Sequence, residues 1–77
     1  MELTAVDNRL KAALDELVRE GVLEWEPLSG GNVQVDLFHI TPEEQAAAFQ
    51  AVSAPARRLW WTLRELERAA NDAEVVN

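Results

Sequence analysis

GVLEWEPLSGGNVQVDLFHITPEE, residues 21–44, is the stretch that decides the fold. From Val22 to Glu26 apolar and acidic residues alternate at the period of two that a half-buried strand requires. Pro27 has no N–H to give to a ladder and closes the run. Leu28-Ser29-Gly30-Gly31-Asn32 reads as a turn whose glycines supply positive φ. Val33 to Ile40 resumes as a second strand. Val33, Val35 and Leu37 share one face with His39, while Phe38 and Ile40 lie on the other, so this strand's end is expected to be covered on both sides. The two runs make an antiparallel hairpin. A lone hairpin is barely stable in water, so helices must cover its apolar face.

Those helices flank it. Upstream, the pattern predicts a helix from Ala5 to Glu20, with Thr4 as its N-cap and Asp7 in the first turn, near the positive end of the dipole. Val6, Leu10, Ala13, Leu14, Leu17 and Val18 form a single apolar stripe. Asp7, Lys11, Asp15 and Arg19 alternate in sign at i,i+4 on another face. Gly21 is the left-handed residue that ends the helix, letting Val22 fold back on Leu17. Downstream, Thr41 caps, Pro42 takes the first helical position and Glu44 completes a capping box. That helix runs to about Val52, with a small apolar face of Ala46, Ala47, Phe49 and Val52. Ser53-Ala54-Pro55 starts a further helix, or kinks one continuous helix at Pro55. The last helix is expected to reach Ala70 with a stripe of Leu59, Trp60, Leu63, Leu66 and Ala70, leaving residues 71–77 as a frayed tail. The fold class is α+β, a helix, a two-stranded antiparallel hairpin and then two helices, in one domain over residues 1–77.

Composition narrows the function. The chain of 77 residues has a net charge of −7 and no cysteine. It therefore has no disulfide or thiolate site to reinforce a thin core, and a dimer would enlarge that core. The N-terminal residues do not pair a basic segment with an apolar run, so no secretory leader is expected and a cytoplasmic location is. No apolar stretch approaches the ~20 residues needed to span a bilayer, so no membrane partner is expected. The negative charge repels phosphate backbones and suits a basic partner.

No constellation for chemistry emerges. His39 is the single histidine, and a zinc site needs three or four ligands. Its strand parity predicts a partly buried ring bonded to backbone. Thr4, Thr41 and Ser53 are explained as caps, and Gly30-Gly31 lacks the strand-to-helix context of a phosphate loop. Asp15-Glu16 and Glu43-Glu44 are neighbours that diverge by ~100° on a helix, so neither is a converging acid pair. No catalytic residue, cofactor or metal is expected.

The candidate contact residues lie elsewhere. Trp60 joins the stripe of the last helix and is expected in the core. Trp61 faces away from it, toward Arg57, Arg58, Arg64 and Arg68. Arginine over an indole forms a cation–π pair, and tryptophan and arginine are enriched among interface hot spots. Glu24 and Glu26 share the solvated face of the first strand, so an arginine-bearing helix of one copy has an acidic hairpin to meet on another. A nucleic acid stacking on Trp61 is disfavoured by charge.

Leu14, Leu17, Gly21-Val22-Leu23, the glycine turn and His39-Ile40-Thr41-Pro42-Glu43 set a rhythm that resembles winged-helix domains, over about Leu10 to Gln45. The resemblance implies a recognition helix ending at Gly21 and a hairpin serving as the wing. The family's two helices ahead of the recognition helix have no counterpart ahead of Thr4. The family's wing often offers lysine or arginine to phosphates, but between Arg19 and Arg57 this sequence has neither. Asp7, Asp15 and Glu16 also sit among Asn8, Arg9, Lys11 and Arg19. The reading is a small acidic protein-binding module that acts as adaptor, inhibitor or regulator, as a homodimer and without catalysis. Compact acidic chains of this kind are frequent among phage and plasmid proteins. The alternative is a winged-helix-like regulator that binds nucleic acid.

Overall fold

The computed structural model describes residues 1–75. In chain order it comprises β1 (Glu2–Leu3), α1 (Asn8–Arg19), β2 (Leu23–Pro27), a single 3-10 turn (Ser29–Gly31), β3 (Val33–Leu37), α2 (Pro42–Ala51) and α3 (Ala54–Val75). The expected order of helix, hairpin and two helices is present. To it the structure adds β1, which pairs antiparallel with β3 and makes a three-stranded sheet of order β1-β3-β2. Helix, turn and antiparallel hairpin together match a winged-helix-like topology at the level of fold.

The hairpin register sets Leu23 opposite Leu37, Trp25 opposite Val35, Glu24 opposite Asp36 and Glu26 opposite Gln34. Directly paired residues share a face, so the sheet has an apolar side and an acidic side. Leu23, Val33 and Val35 on the apolar side are buried against Ala13, Leu14 and Leu17 of α1 and Ala56, Trp60 and Leu63 of α3. The second strand ends at Leu37 and not at Ile40, so the alternation that placed His39 on the apolar face has lapsed. His39 is exposed, and Phe38 is 40% exposed.

The helix boundaries follow their caps. Gly21 adopts φ +74°, its N–H donates to Val18 O (3.0 Å), and Val22 N–H donates to Leu17 O (3.2 Å). This is the doubly bonded glycine terminus expected there. The start of α1 differs from expectation. Its cap is Asp7, whose Oδ1 accepts from Leu10 N–H at 2.8 Å, and not Thr4. Residues 4–7 are occupied in leaving β1. Ala5 takes φ +54°, outside helical space, and Val6 N–H donates to Gly31 O in the hairpin turn at 2.9 Å. Asp7, Lys11, Asp15 and Arg19 form no ion pair among the described residues; Asp15 instead accepts from Trp25 Nε1 (3.0 Å).

The box that starts α2 is complete. Glu44 N–H donates to Thr41 Oγ1 (3.1 Å), and Thr41 N–H donates to Glu44 Oε1 (3.0 Å). α2 packs through Ala48, Phe49 and Val52, one helical step from the expected face, and leaves Ala46 and Ala47 exposed. Val52 is extended, so α2 and α3 are separate helices and not one helix kinked at Pro55. Ser53 caps α3 through Ala56 N–H (3.4 Å), with Pro55 in the first turn, where its missing N–H costs nothing. α3 continues through the region expected to fray, to Val75; residues 76–77 of that tail lie outside the described residues. Among the described residues no helix is long and apolar enough to cross a membrane.

Candidate protein-contact surface

α3 departs most from its expected stripe. Ala56, Trp60 and Leu63 are buried and Leu59 is half-buried, but Leu66 is 50% exposed and Ala70 is exposed. The buried part of the helix's apolar stripe thus ends at Leu63. Leu66 therefore stands between two grooves. One is lined by Trp61, Thr62, Glu65, Leu66 and Ala69. The other lies between α3 and the sheet edge and includes Met1, Leu3, Leu37, Leu66 and Ala70.

Trp61 is 49% exposed. Its ring is held edge-on by two buried or half-buried neighbours, with centroids 5.7 Å from Phe49 and 5.2 Å from Trp60. Phe49 and Trp60 also meet edge-on at 5.3 Å. Three rings in mutual T-shaped contact fix the orientation of the exposed indole, since each such pair contributes about 0.5–1.5 kcal/mol beyond area. The partition of the tryptophan pair, Trp60 inside and Trp61 half outside, is the one the stripe predicts.

The arginines do not gather on Trp61. The Arg57 guanidinium turns to the end of α2, where Nη1 donates to Phe49 O (2.9 Å) and Val52 O (2.8 Å). Carbonyls at a helix C-terminus have no partner of their own, so this arginine serves as the cap of α2. Arg64 lies over the ring of Trp60, 4.9 Å from its centroid, and not over Trp61. Arg58 and Arg68 remain at the surface, and Arg68 stands 3.7 Å from Glu65 in an exposed i,i+3 pair. Such a pair contributes little. Arg57 has local spacing to Trp61 but a better acceptor on another helix, which spacing along one helix does not reveal.

Glu24 and Glu26 are exposed on the outer side of the sheet, where strand pairing sets them beside Asp36 and Gln34, with Glu2 opposite Gln34. This acidic face and the Trp61 face belong to different sides of the domain and form no joint site. Among the described residues no three histidine, cysteine, aspartate or glutamate side chains cluster as metal ligands. Sequence reading missed the exposure of Leu66, because its place in the apolar stripe does not show that burial ends at Leu63.

The chain matches no family model, no curated protein and no solved structure.

Proposed function

We propose that this chain is a small acidic protein-binding module, an adaptor, inhibitor or regulator that binds and does not catalyse, and that it self-associates through the outer face of α3. One observation carries the reading. Trp61 and Leu66 are each half exposed on one helix and line one groove, in a domain whose other tryptophans are buried or half-buried. A large indole already held in place by Phe49 and Trp60 loses little entropy when covered, which favours it as an anchor. A C2 dimer would set this face against its own copy and enlarge a thin core. A cytoplasmic setting is compatible with the cysteine-free composition.

The winged-helix-like topology by itself does not assign nucleic acid as the partner. The hairpin turn bears no lysine or arginine, and the sheet's outer side is acidic, so the phosphate contacts that supply nonspecific DNA affinity are missing from the wing. Sedimentation velocity across a micromolar concentration series tests the reading. A wild-type dimer, with Trp61→Ala and Leu66→Lys remaining folded but monomeric, is expected. A wild type that stays monomeric at high micromolar concentration removes self-association. Micromolar binding to generic duplex DNA that falls steeply with salt replaces the module reading with a nucleic-acid regulator.

A further inference from the structure

Successive residues of an α-helix turn by about 100°, so Arg58, Glu65, Ala69 and Asp72 of α3 fall along one line, with Trp61 and Leu66 on its two flanks. All six are exposed. From Arg58 to Asp72 the line runs about 21 Å at the helical rise per residue. Arg58 stands at its N-terminal end, Glu65 in the middle and Asp72 at its C-terminal end, and Arg68 lies 3.7 Å from Glu65. These two cations and two anions cancel, whereas the whole chain has a net charge of −7. The outer side of the sheet has Glu24, Glu26 and Asp36 instead and would repel its own copy.

We propose that the occupant of this face is α3 of a second copy, lying antiparallel, with the two-fold axis at Glu65. The inference rests on the self-association proposed above and adds its orientation and register. Positions equidistant from Glu65 then meet. Arg58 faces Asp72 of the second copy, and this contact occurs twice by symmetry. Trp61 lies level with Ala69 of the second copy, whose methyl group leaves room for an indole already held by Phe49 and Trp60. At the axis the two Glu65 carboxylates are bracketed by the two Arg68 guanidiniums, so the four charges balance. A parallel pair sets Arg58 against Arg58 and Asp72 against Asp72, and such like-charge contacts are destabilising. Head-to-tail docking on the acidic sheet of another copy is a poorer match, because Glu65 and Asp72 are themselves acidic. Exposed ion pairs add little affinity, but they select orientation and register. The affinity comes from covering Trp61 and Leu66. One pair of helices is at the small end of specific interfaces, so dissociation in the micromolar range is expected.

Sedimentation equilibrium of the full chain tests the arrangement. Arg58→Glu and Asp72→Arg should each weaken the homodimer about tenfold, because each turns two exposed attractions into repulsions. Mixed in equal amounts, the two variants should associate as tightly as wild type, because both contacts of the mixed pair are again opposite in sign. Cross-linking gives an independent readout, since the chain has no cysteine of its own. Under mild oxidation Glu65→Cys should link to its own copy. Ala69→Cys should not, because its equivalent lies about 12 Å away along the helix axes, beyond the ~7 Å between Cα atoms that a disulfide spans. All four positions are exposed, so circular dichroism of each variant should match wild type. A wild type that stays monomeric at high micromolar concentration removes self-association and this inference with it. A wild-type dimer in which mixing the two charge variants restores nothing, or in which Ala69→Cys links to itself as readily as Glu65→Cys, overturns the antiparallel register and leaves self-association standing.

Discussion

Ser53 donates its backbone N–H (2.9 Å) and its hydroxyl (2.7 Å) to the two oxygens of the Glu16 carboxylate. The pair ties α1 to the start of α3 across the hairpin and α2. Ser53 also caps α3 through Ala56 N–H, so Glu16 holds the cap in place from another helix. Glutamine at this position would turn an amide donor toward a serine that already donates twice. Glu16→Gln should therefore destabilise the domain, and Ser53→Ala should do so in a non-additive way, because both disrupt the bond between the Ser53 hydroxyl and the Glu16 carboxylate. A double-mutant cycle by urea unfolding at pH 7 checks this; strictly additive effects would mean that the two residues do not act together.

The same contact has a pH dependence of fixed sign. The Ser53 N–H and then its hydroxyl hold the Glu16 carboxyl below its ordinary value of 4.5, with burial opposing and Arg19 assisting. A carboxyl depressed in the folded state contributes stability that is present above its unfolded value and is lost as pH falls through its folded value. The window therefore opens near pH 4.5 and extends below it. Glu44, lowered chiefly by Thr41 N–H and then by its hydroxyl, acts in the same direction. Protonation also relieves the repulsion of a chain with net charge −7, so the informative quantity is the difference between proteins. Wild type should lose more stability than Glu16→Gln between pH 5 and pH 3 in urea titrations; parallel losses would show that the clasp does not titrate with folding.

Arg57 supplies a prediction that separates packing from charge. Its guanidinium bonds Phe49 O and Val52 O, two carbonyls that α2 leaves open. Arg57→Met keeps much of the stem and removes both bonds, at about 1.5–3 kcal/mol for hydrogen bonds to a charged group. Lysine cannot reproduce the planar fork and should recover only part of the loss. Chemical denaturation of the three proteins checks the order wild type, Arg57→Lys, Arg57→Met.

Elements set by neighbours in sequence were legible. Thr41 and Glu44 are three residues apart and satisfy each other, and Gly21 sits one turn from the carbonyls it caps. The elements that were not legible depend on distant pairing. Thr4 is a sound cap by type, but Leu3 is committed to Val33 and Val6 to Gly31, so α1 can begin only after the chain has turned through Ala5 and Val6. The contact surface divides in the same way. The inward Trp60 and outward Trp61 follow from helical spacing. The exposure of Leu66 depends on which elements reach the second half of α3, and Arg57's acceptors lie on another helix; neither is written in the spacing of α3.

Gly21 offers a check on how much of the α1 terminus is backbone. Its φ is +74°, and a Cβ built there meets nothing within 4 Å. Gly21→Ala should therefore cost only the left-handed penalty, about 1–2 kcal/mol, with no steric addition. Gly21→Asn should cost less, because asparagine tolerates this conformation. Equal losses for both, measured by thermal unfolding, would mean that something other than backbone conformation limits the site.

The two tryptophans should respond in opposite ways. Trp60 is fully buried, and among the described residues its indole N–H has no acceptor. Trp60→Ala should cost about 3–5 kcal/mol, a large share of what a domain this small possesses, and leave the protein largely unfolded. Trp60→Phe removes no hydrogen bond, because none is made, and should cost only the smaller cavity, about 1–2 kcal/mol. Trp61→Ala forfeits edge contacts with Phe49 and Trp60 but little buried area, about 0.5–1.5 kcal/mol, and the chain should fold. Guanidinium unfolding followed by circular dichroism ranks the three. If Trp61→Ala proved as damaging as Trp60→Ala, the half-exposed indole would be part of the core, and the contact surface on α3 would lose its anchor.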